Sequence, residues 1–250
     1  MRLALALVLA AAPAAVAAQD SPAAEAVPSA EEVIGRFVEA IGGEVAVRSR
    51  TSMHMLGEFA MPGMGVTGTL EVFSLEPHFS LTRIELQGLG TITAGFDGET
   101  AWEMNPFQGP RIKDGAELTQ VRDESGTDGM LRNPSLFDSR ETVGRSEWSG
   151  EACWRVKLVW KSGREAFDCY SIETGLLIGS ETTAATAMGE VPATMTMGDY
   201  KDFGGVLMAS KVRQEAMGME QVFTFTTVSY EPIDPAVFAL PAEIQALVKD

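Results

Sequence analysis

Bulky apolar side chains fall on every second residue of Cys153-Trp154-Arg155-Val156-Lys157-Leu158-Val159-Trp160. A period of two is the period of an extended strand, so Trp154, Val156, Leu158 and Trp160 share one face. The pattern returns at Phe223 and Phe225 among threonines, and at Met195 and Met197. One-sided strands must lay their apolar faces against a second layer or curl round an interior. These side chains fit two roles, an ordinary sheet core or the wall of an apolar cavity. Methionine suits the second role because its flexible thioether adapts to varied apolar ligands, and the chain carries 13.

The turn chemistry agrees with strands. The stretch from Gly95 to Pro106 reads as strand, tight turn, strand, with Asp97-Gly98 at its centre. Asp and Gly tolerate positive φ, so a two-residue type I′ turn is expected there. Pro106 stops the second strand because proline cannot donate to a ladder. Phe96, Trp102 and Met104 on this hairpin join the cavity-wall candidates. Strands are predicted over 52–60, 66–75, 79–87, 91–96, 100–104, 141–148, 152–161, 164–172, 176–184, 191–203, 206–216 and 220–230. Their short connections make neighbours antiparallel. The fold class is therefore mainly β, with about 11–12 strands and a helical cover.

Helical signals are few. Ser29-Ala30-Glu31-Glu32 is a capping box, and Val33, Ile34, Phe37, Val38 and Ile41 follow at helical spacing before Gly42-Gly43. The segment 114–138 carries Leu118, Val121, Met130 and Leu131, is broken by Gly126 and Gly129, and closes at Asn133-Pro134. It predicts one or two short helices inserted between strands. A last short helix is expected near 241–248.

Export is written at the start. Arg2, an apolar run over 3–16 and Ala15-Val16-Ala17 read as a secretory signal peptide over 1–18, too short to span a bilayer. No cysteine lies near the cleavage site, so N-terminal acylation is not expected. Residues 19–28, rich in Ala, Pro, Ser and Glu, read as a disordered leader, and 29–250 as one β domain. Loss of Arg2 with the signal leaves 18 basic against 35 acidic residues, a net charge of −17. That excludes nucleic acid as a partner and disfavours attachment to an anionic membrane.

Cys153 and Cys169 in an exported chain suggest a disulfide. A two-residue Ser162-Gly163 loop would set Cys153 opposite Ile172 and Cys169 opposite Val156, with the sulfurs on opposite faces. A bulge or a longer loop would bring them together.

Motifs of catalysis fail on context. Gly63-Met64-Gly65-Val66-Thr67-Gly68 fits a dinucleotide fingerprint by letters, but a strand follows it, not a helix. Asp202-Phe203-Gly204 lacks every other kinase element. In 123–134 the glycine is misplaced for a calcium loop, and Pro134 stands where a bidentate Glu is required. With only His54 and His78, no histidine metal cluster is expected. Catalytic residues, metal and cofactor are all expected to be none. Methionines also stand at expected hairpin tips, at Met61, Met64, Met188, Met217 and Met219, where polar residues are usual. They are expected to rim one opening and meet a lipid or a partner.

Together these residues resemble the LolA/LolB-like superfamily of periplasmic outer-membrane lipoprotein-sorting proteins. The resemblance rests on Ala40-Ile41-Gly42-Gly43 ending the first helix, Gly95-Phe96-Asp97-Gly98 with Trp102 and Asn105-Pro106, and Thr174-Gly175-Leu176-Leu177. Asp199-Tyr200 with Gly204-Gly205-Val206, and Phe238-Ala239-Leu240-Pro241, complete it. It implies an open, strongly curved antiparallel half-barrel round an apolar cavity, with 114–138 and the first helix as lid. It implies a non-enzymatic periplasmic carrier or binder of lipid or lipoprotein acyl chains, with membrane-associated donor or acceptor proteins as further partners. An envelope-stress sensor or scaffold of the same fold is the alternative reading.

Overall fold

The computed structural model describes residues 26–248. The expected signal peptide over 1–18 and residues 19–25 of the expected leader lie outside the described residues. The first helix, α1 (Ala30–Ala40), starts as its capping box dictates. Ser29 N–H donates to Glu32 Oε2 at 2.7 Å, and Glu32 N–H donates back to Ser29 Oγ at 3.2 Å. The contact from the Ser29 backbone holds the Glu32 carboxyl below the usual carboxylate range. A second helix, α2 (Glu44–Arg48), follows after Gly43. Its five residues are too few to show a periodicity, and no sequence signal announced it.

The strands are β1 (Ser52–Met61), β2 (Val66–Leu75), β3 (Phe79–Leu86), β4 (Gly90–Phe96), β5 (Ala101–Asn105), β6 (Gly109–Lys113), β7 (Phe137–Trp148), β8 (Glu151–Trp160), β9 (Glu165–Ser171), β10 (Leu177–Thr186), β11 (Gly189–Asp202), β12 (Leu207–Ala216) and β13 (Met219–Ser229). Among the described residues they form one 13-stranded sheet in the order β6-β5-β4-β3-β2-β1-β13-β12-β11-β10-β9-β8-β7. Every pair is antiparallel, and the two edge strands do not meet, so the sheet is an open half-barrel. β6 is the strand that the sequence reading lacked. Pro110 hid it, and its place at an edge is what lets the sheet accept a proline.

Two helices bridge β6 and β7: α3 (Gly115–Glu124) and α4 (Gly126–Met130). Thr127 N–H donates to Glu76 at the end of β2, and Arg132 pairs with Asp168 on β9. β2 and β9 stand six places apart in the sheet. In a flat sheet they would be roughly 29 Å apart at about 4.8 Å per strand. Thr127 and Arg132 are only five residues apart, so the sheet must curl round the helices.

The concave face carries most of the core. Trp154, Val156, Leu158 and Trp160 point inward together, against Val33, Ile34 and Phe37 of α1 and against Leu131 and Phe137. Across β13 to β4 the same face is filled by Phe59, Leu70, Ile84 and Leu86, with Phe223 and Phe225 against them. The convex face has its own cover. Leu81 and Trp102 lie beneath Phe238 and Ile244 of the C-terminal segment, which ends in α5 (Ala242–Gln245).

Two expected turns differ. Phe96 pairs with Ala101, so residues 97–100 form a four-residue loop and not a type I′ turn. The Asp97 carboxylate closes it by accepting from Glu99 N–H at 2.9 Å and Thr100 N–H at 2.7 Å. At the second, Val159 pairs with Glu165 and Trp160 N–H donates to the Arg164 carbonyl. The loop is Lys161-Ser162-Gly163, one residue longer, with Gly163 at φ +87°. That single step moves the register, setting Cys153 opposite Ser171 and Cys169 opposite Arg155. The sulfurs now share the convex face, the Cα atoms are 5.5 Å apart, and the two residues form a disulfide beneath Trp148.

Candidate functional site

A cavity of about 550 Å³ lies between α3, α4 and the concave face of the sheet. Its floor is the start of β1 (Ser52, Met53), the end of β2 (Ser74, Leu75) and the start of β3 (Phe79, Ser80). Leu177, Val206 and Met208 close the far side, Phe37 and Val47 the helical end, and Val121 and Met130 the roof. The volume falls in the range of roughly 300–1,000 Å³ typical of small-molecule sites.

The roof is held by polar contacts. No residue of α3 is buried. Gln120 Oε1 accepts from Ala185 N–H at 2.8 Å, Asp123 accepts from Ser162 Oγ at 2.6 Å, and Arg164 pairs with Glu124 at 2.7 Å. Gly126, at φ +74°, lets the chain turn against the Pro77 carbonyl, where a Cβ would collide with it. Asp128 is held by Asn133 Nδ2 at 2.7 Å and Arg48 at 2.9 Å, and the Asn133 contact first lowers its carboxyl pKa. A segment with little buried apolar area opens at lower cost than the sheet below it.

One ionic group is buried deeply. Arg132, at φ +50°, lines the cavity directly after α4. Its Nε donates to Asp168 Oδ2 at 2.7 Å and its Nη1 to the Gly129 carbonyl at 2.7 Å. Tyr170 Oη donates to the same Asp168 oxygen at 3.0 Å. Asp168 and Tyr170 are both 0% exposed, and Asp168 Oδ1 has no hydrogen-bond partner. Burial, then the Asp168 carboxylate, push the Tyr170 phenol well above the usual tyrosine value. Burial opposes the charge on Arg132, but Asp168 outweighs it and keeps the guanidinium protonated. On the opposite side of the cavity Arg50 donates to the Gly204 carbonyl and lies 4.6 Å over the Tyr230 ring. Its Nε is buried without a partner. The site thus offers an apolar bed with two guanidinium groups at its margin. Among the described residues no group of His, Cys, Asp or Glu side chains is placed to hold a metal ion.

Of the predicted residues, the lid positions Val121 and Met130 line this cavity, and Leu131 packs in the core beside it. Leu118 on α3 is half-buried. Trp154, Val156, Leu158 and Trp160 lie beneath α1, away from the cavity, and Met197 packs on the same cluster. Met195 shares that face two residues earlier on β11. Phe223 and Phe225 fill the other half of the concave side. Phe96 pairs with Ala101 and is buried, whereas Trp102 and Met104 face the C-terminal segment on the convex side. None of these lines the cavity. The methionine tips do not line it either. The residues that do, Met53, Ser74, Ser80, Met208, Arg50 and Arg132, were not anticipated. The one signal for them was the presence of serines near the ends of otherwise bulky strands.

No family profile matches the sequence, and no curated protein matches it. Solved structures do. A LolA superfamily protein from Nitrosomonas europaea aligns with TM-score 0.56 at 11% identity, over 85% of this chain and 98% of that one. A DUF1329 family protein from Desulfovibrio piger aligns with TM-score 0.55 at 12% identity, over 84% and 97%. A domain from Vibrio parahaemolyticus described as an outer membrane lipoprotein-sorting protein aligns with TM-score 0.52 at 12% identity, over 84% and 97%. The chain has the LolA-type fold, an open antiparallel half-barrel with helices on its concave side.

Proposed function

We propose that this protein is a non-enzymatic binder of lipid or lipoprotein acyl chains in the periplasm, acting in outer-membrane lipoprotein sorting. The observation that carries the reading is the apolar cavity of about 550 Å³ beneath a roof held mainly by polar contacts. Burial of an acyl chain supplies the affinity. About ten methylenes at about 0.8 kcal/mol each contribute about 8 kcal/mol before the cost of association. Opening of α3 and α4 admits and releases the chain. The signal-peptide reading and the lipoprotein-sorting description of the Vibrio parahaemolyticus structure agree with this role. Native mass spectrometry of protein prepared from periplasm without detergent tests it. The expected spectrum contains an acyl lipid adduct, which Val121→Asp and Met208→Asp both lose. An empty protein that also fails to bind a fluorescent fatty acid refutes the proposal.

A further inference from the structure

In an antiparallel meander, alternate turns lie at the same end of the sheet. The connections β1–β2, β3–β4, β5–β6, β8–β9, β10–β11 and β12–β13 all fall at one end, opposite the cavity. Five of them carry Met64, Leu89, Phe107, Met188, and Met217 with Met219, and the sixth, β8–β9, carries Lys161, Ser162 and Gly163. All six are among the exposed large apolar side chains, from 37% exposed at Met219 to 78% at Met188. The turns at the other end expose none: their side chains are polar, or apolar and covered. In sheet order the five hairpins are consecutive, β6-β5, β4-β3, β2-β1, β13-β12 and β11-β10. Successive hairpins repeat at about 9.6 Å, so the apolar tips form an arc roughly 40 Å long.

Turn chemistry does not explain them. Met217-Gly218 occupies a tight turn with φ +53° and +72°, the conformation for which Asn-Gly is favoured. Methionine holds the first position there against a steric cost that Asn bears more easily. Within three residues of the six side chains stand the carboxylates Glu190, Glu215 and Glu220, and no Lys or Arg. A compact protein partner would need one contiguous apolar patch. Separate apolar points along an arc, with carboxylates beside them and Arg213 held by Glu220 at 3.6 Å, instead suit a flat apolar layer beneath an uncharged surface.

We propose that this end of the half-barrel docks on a zwitterionic lipid bilayer, with the five hairpin tips inserted between headgroups. Attachment is by apolar insertion, so it does not depend on salt and weakens as anionic lipid is added.

Vesicle flotation with phosphatidylcholine tests this on the full exported chain. The wild type floats equally at about 0.1 and about 0.5 M NaCl, and less as phosphatidylglycerol replaces phosphatidylcholine. Met64→Ser, Met188→Ser and Met217→Asn each lower the partition coefficient by about fivefold, and together by about a hundredfold. Met217→Asn also melts no lower than the wild type, which separates lost docking from lost folding. A wild type that does not float, or a triple variant that floats as well as the wild type, overturns the proposal. So does a wild type that sediments as an oligomer which the triple variant abolishes, since the tips would then join two copies of the chain. The cavity reading is separable, because Val121→Asp leaves flotation intact.

Discussion

Asp168→Asn removes one charge from the most deeply buried ionic group of the fold and leaves its shape. Asp168 is fully buried, while the Arg132 side chain retains 17% of its exposure at the cavity margin. At an effective dielectric near 20 the pair attracts by about 4 kcal/mol at a charge separation of about 4 Å. Breaking a buried pair from one side costs about 3–5 kcal/mol, because the remaining charge is uncompensated. Water reaching Arg132 through the cavity places this case at the low end, about 3 kcal/mol. Asp168 Oδ1 already lacks a partner, so the asparagine amide orphans no group that was satisfied before. Urea unfolding should therefore show a loss of about 3 kcal/mol with an unchanged m-value. Arg132 follows α4 directly, so limited proteolysis within 115–130 should also accelerate. The triple variant Arg132→Met, Asp168→Leu and Tyr170→Phe, which leaves neither a charge nor the Tyr170 hydroxyl unpaired, should recover most of the loss. If Asp168→Asn stays within about 0.5 kcal/mol of the wild type, or the triple variant is no better than the single, the buried pair does not hold the roof.

Alkali should destabilise the fold through Tyr170. Its phenol is raised above the ordinary 10.0 while the unfolded chain releases that proton near 10.0, so the unfolded state binds fewer protons above that pH. Stability is complete below pH 10 and falls as pH rises beyond it; melting temperatures from about pH 8 to 11 should show this, and Tyr170→Phe should flatten the decline. Tyr200, raised by burial in the same direction, leaves a residual slope. Reduction of Cys153–Cys169, which closes a sequence separation of 16, should cost about 3 kcal/mol and lower the melting temperature by roughly 6–12 °C. Paired melts with and without reductant measure it, and a shift under about 2 °C would contradict the estimate.

What was legible in the sequence was local. The Ser29 capping box, the period-two strand 153–160 and the short helices before Asn133-Pro134 were readable from spacing and turn residues, and the open half-barrel is what the family resemblance implied. What failed depended on register. One extra residue in the 161–163 loop reversed the relation of the two cysteines, because a step of one moves every side chain to the other face. Trp102 faces the convex side, where the C-terminal segment returns over β3 and β6, a cover that no strand pattern announces.

The position of the cavity follows from the same row-by-row logic. On the concave face of β1, β2 and β3 one row is Gly57, Leu70 and Ile84, and the next outward is Phe59, Gly68 and Leu86. Those rows, with Phe223 and Phe225, fill the interior. Towards the roof the row is Met53, Ser74 and Ser80, where two of three side chains are too short to reach across the half-barrel. Helices α3 and α4 span that end without burying a residue of α3, so the shortfall in volume is left open. Large aromatic residues therefore mark where this interior is full, and small hydroxyl residues beyond the bulky rows, at the strand ends, mark where it is empty. Serines at facing strand ends are the better sequence sign of a site in a curved antiparallel sheet, once pairing has told which ends face each other.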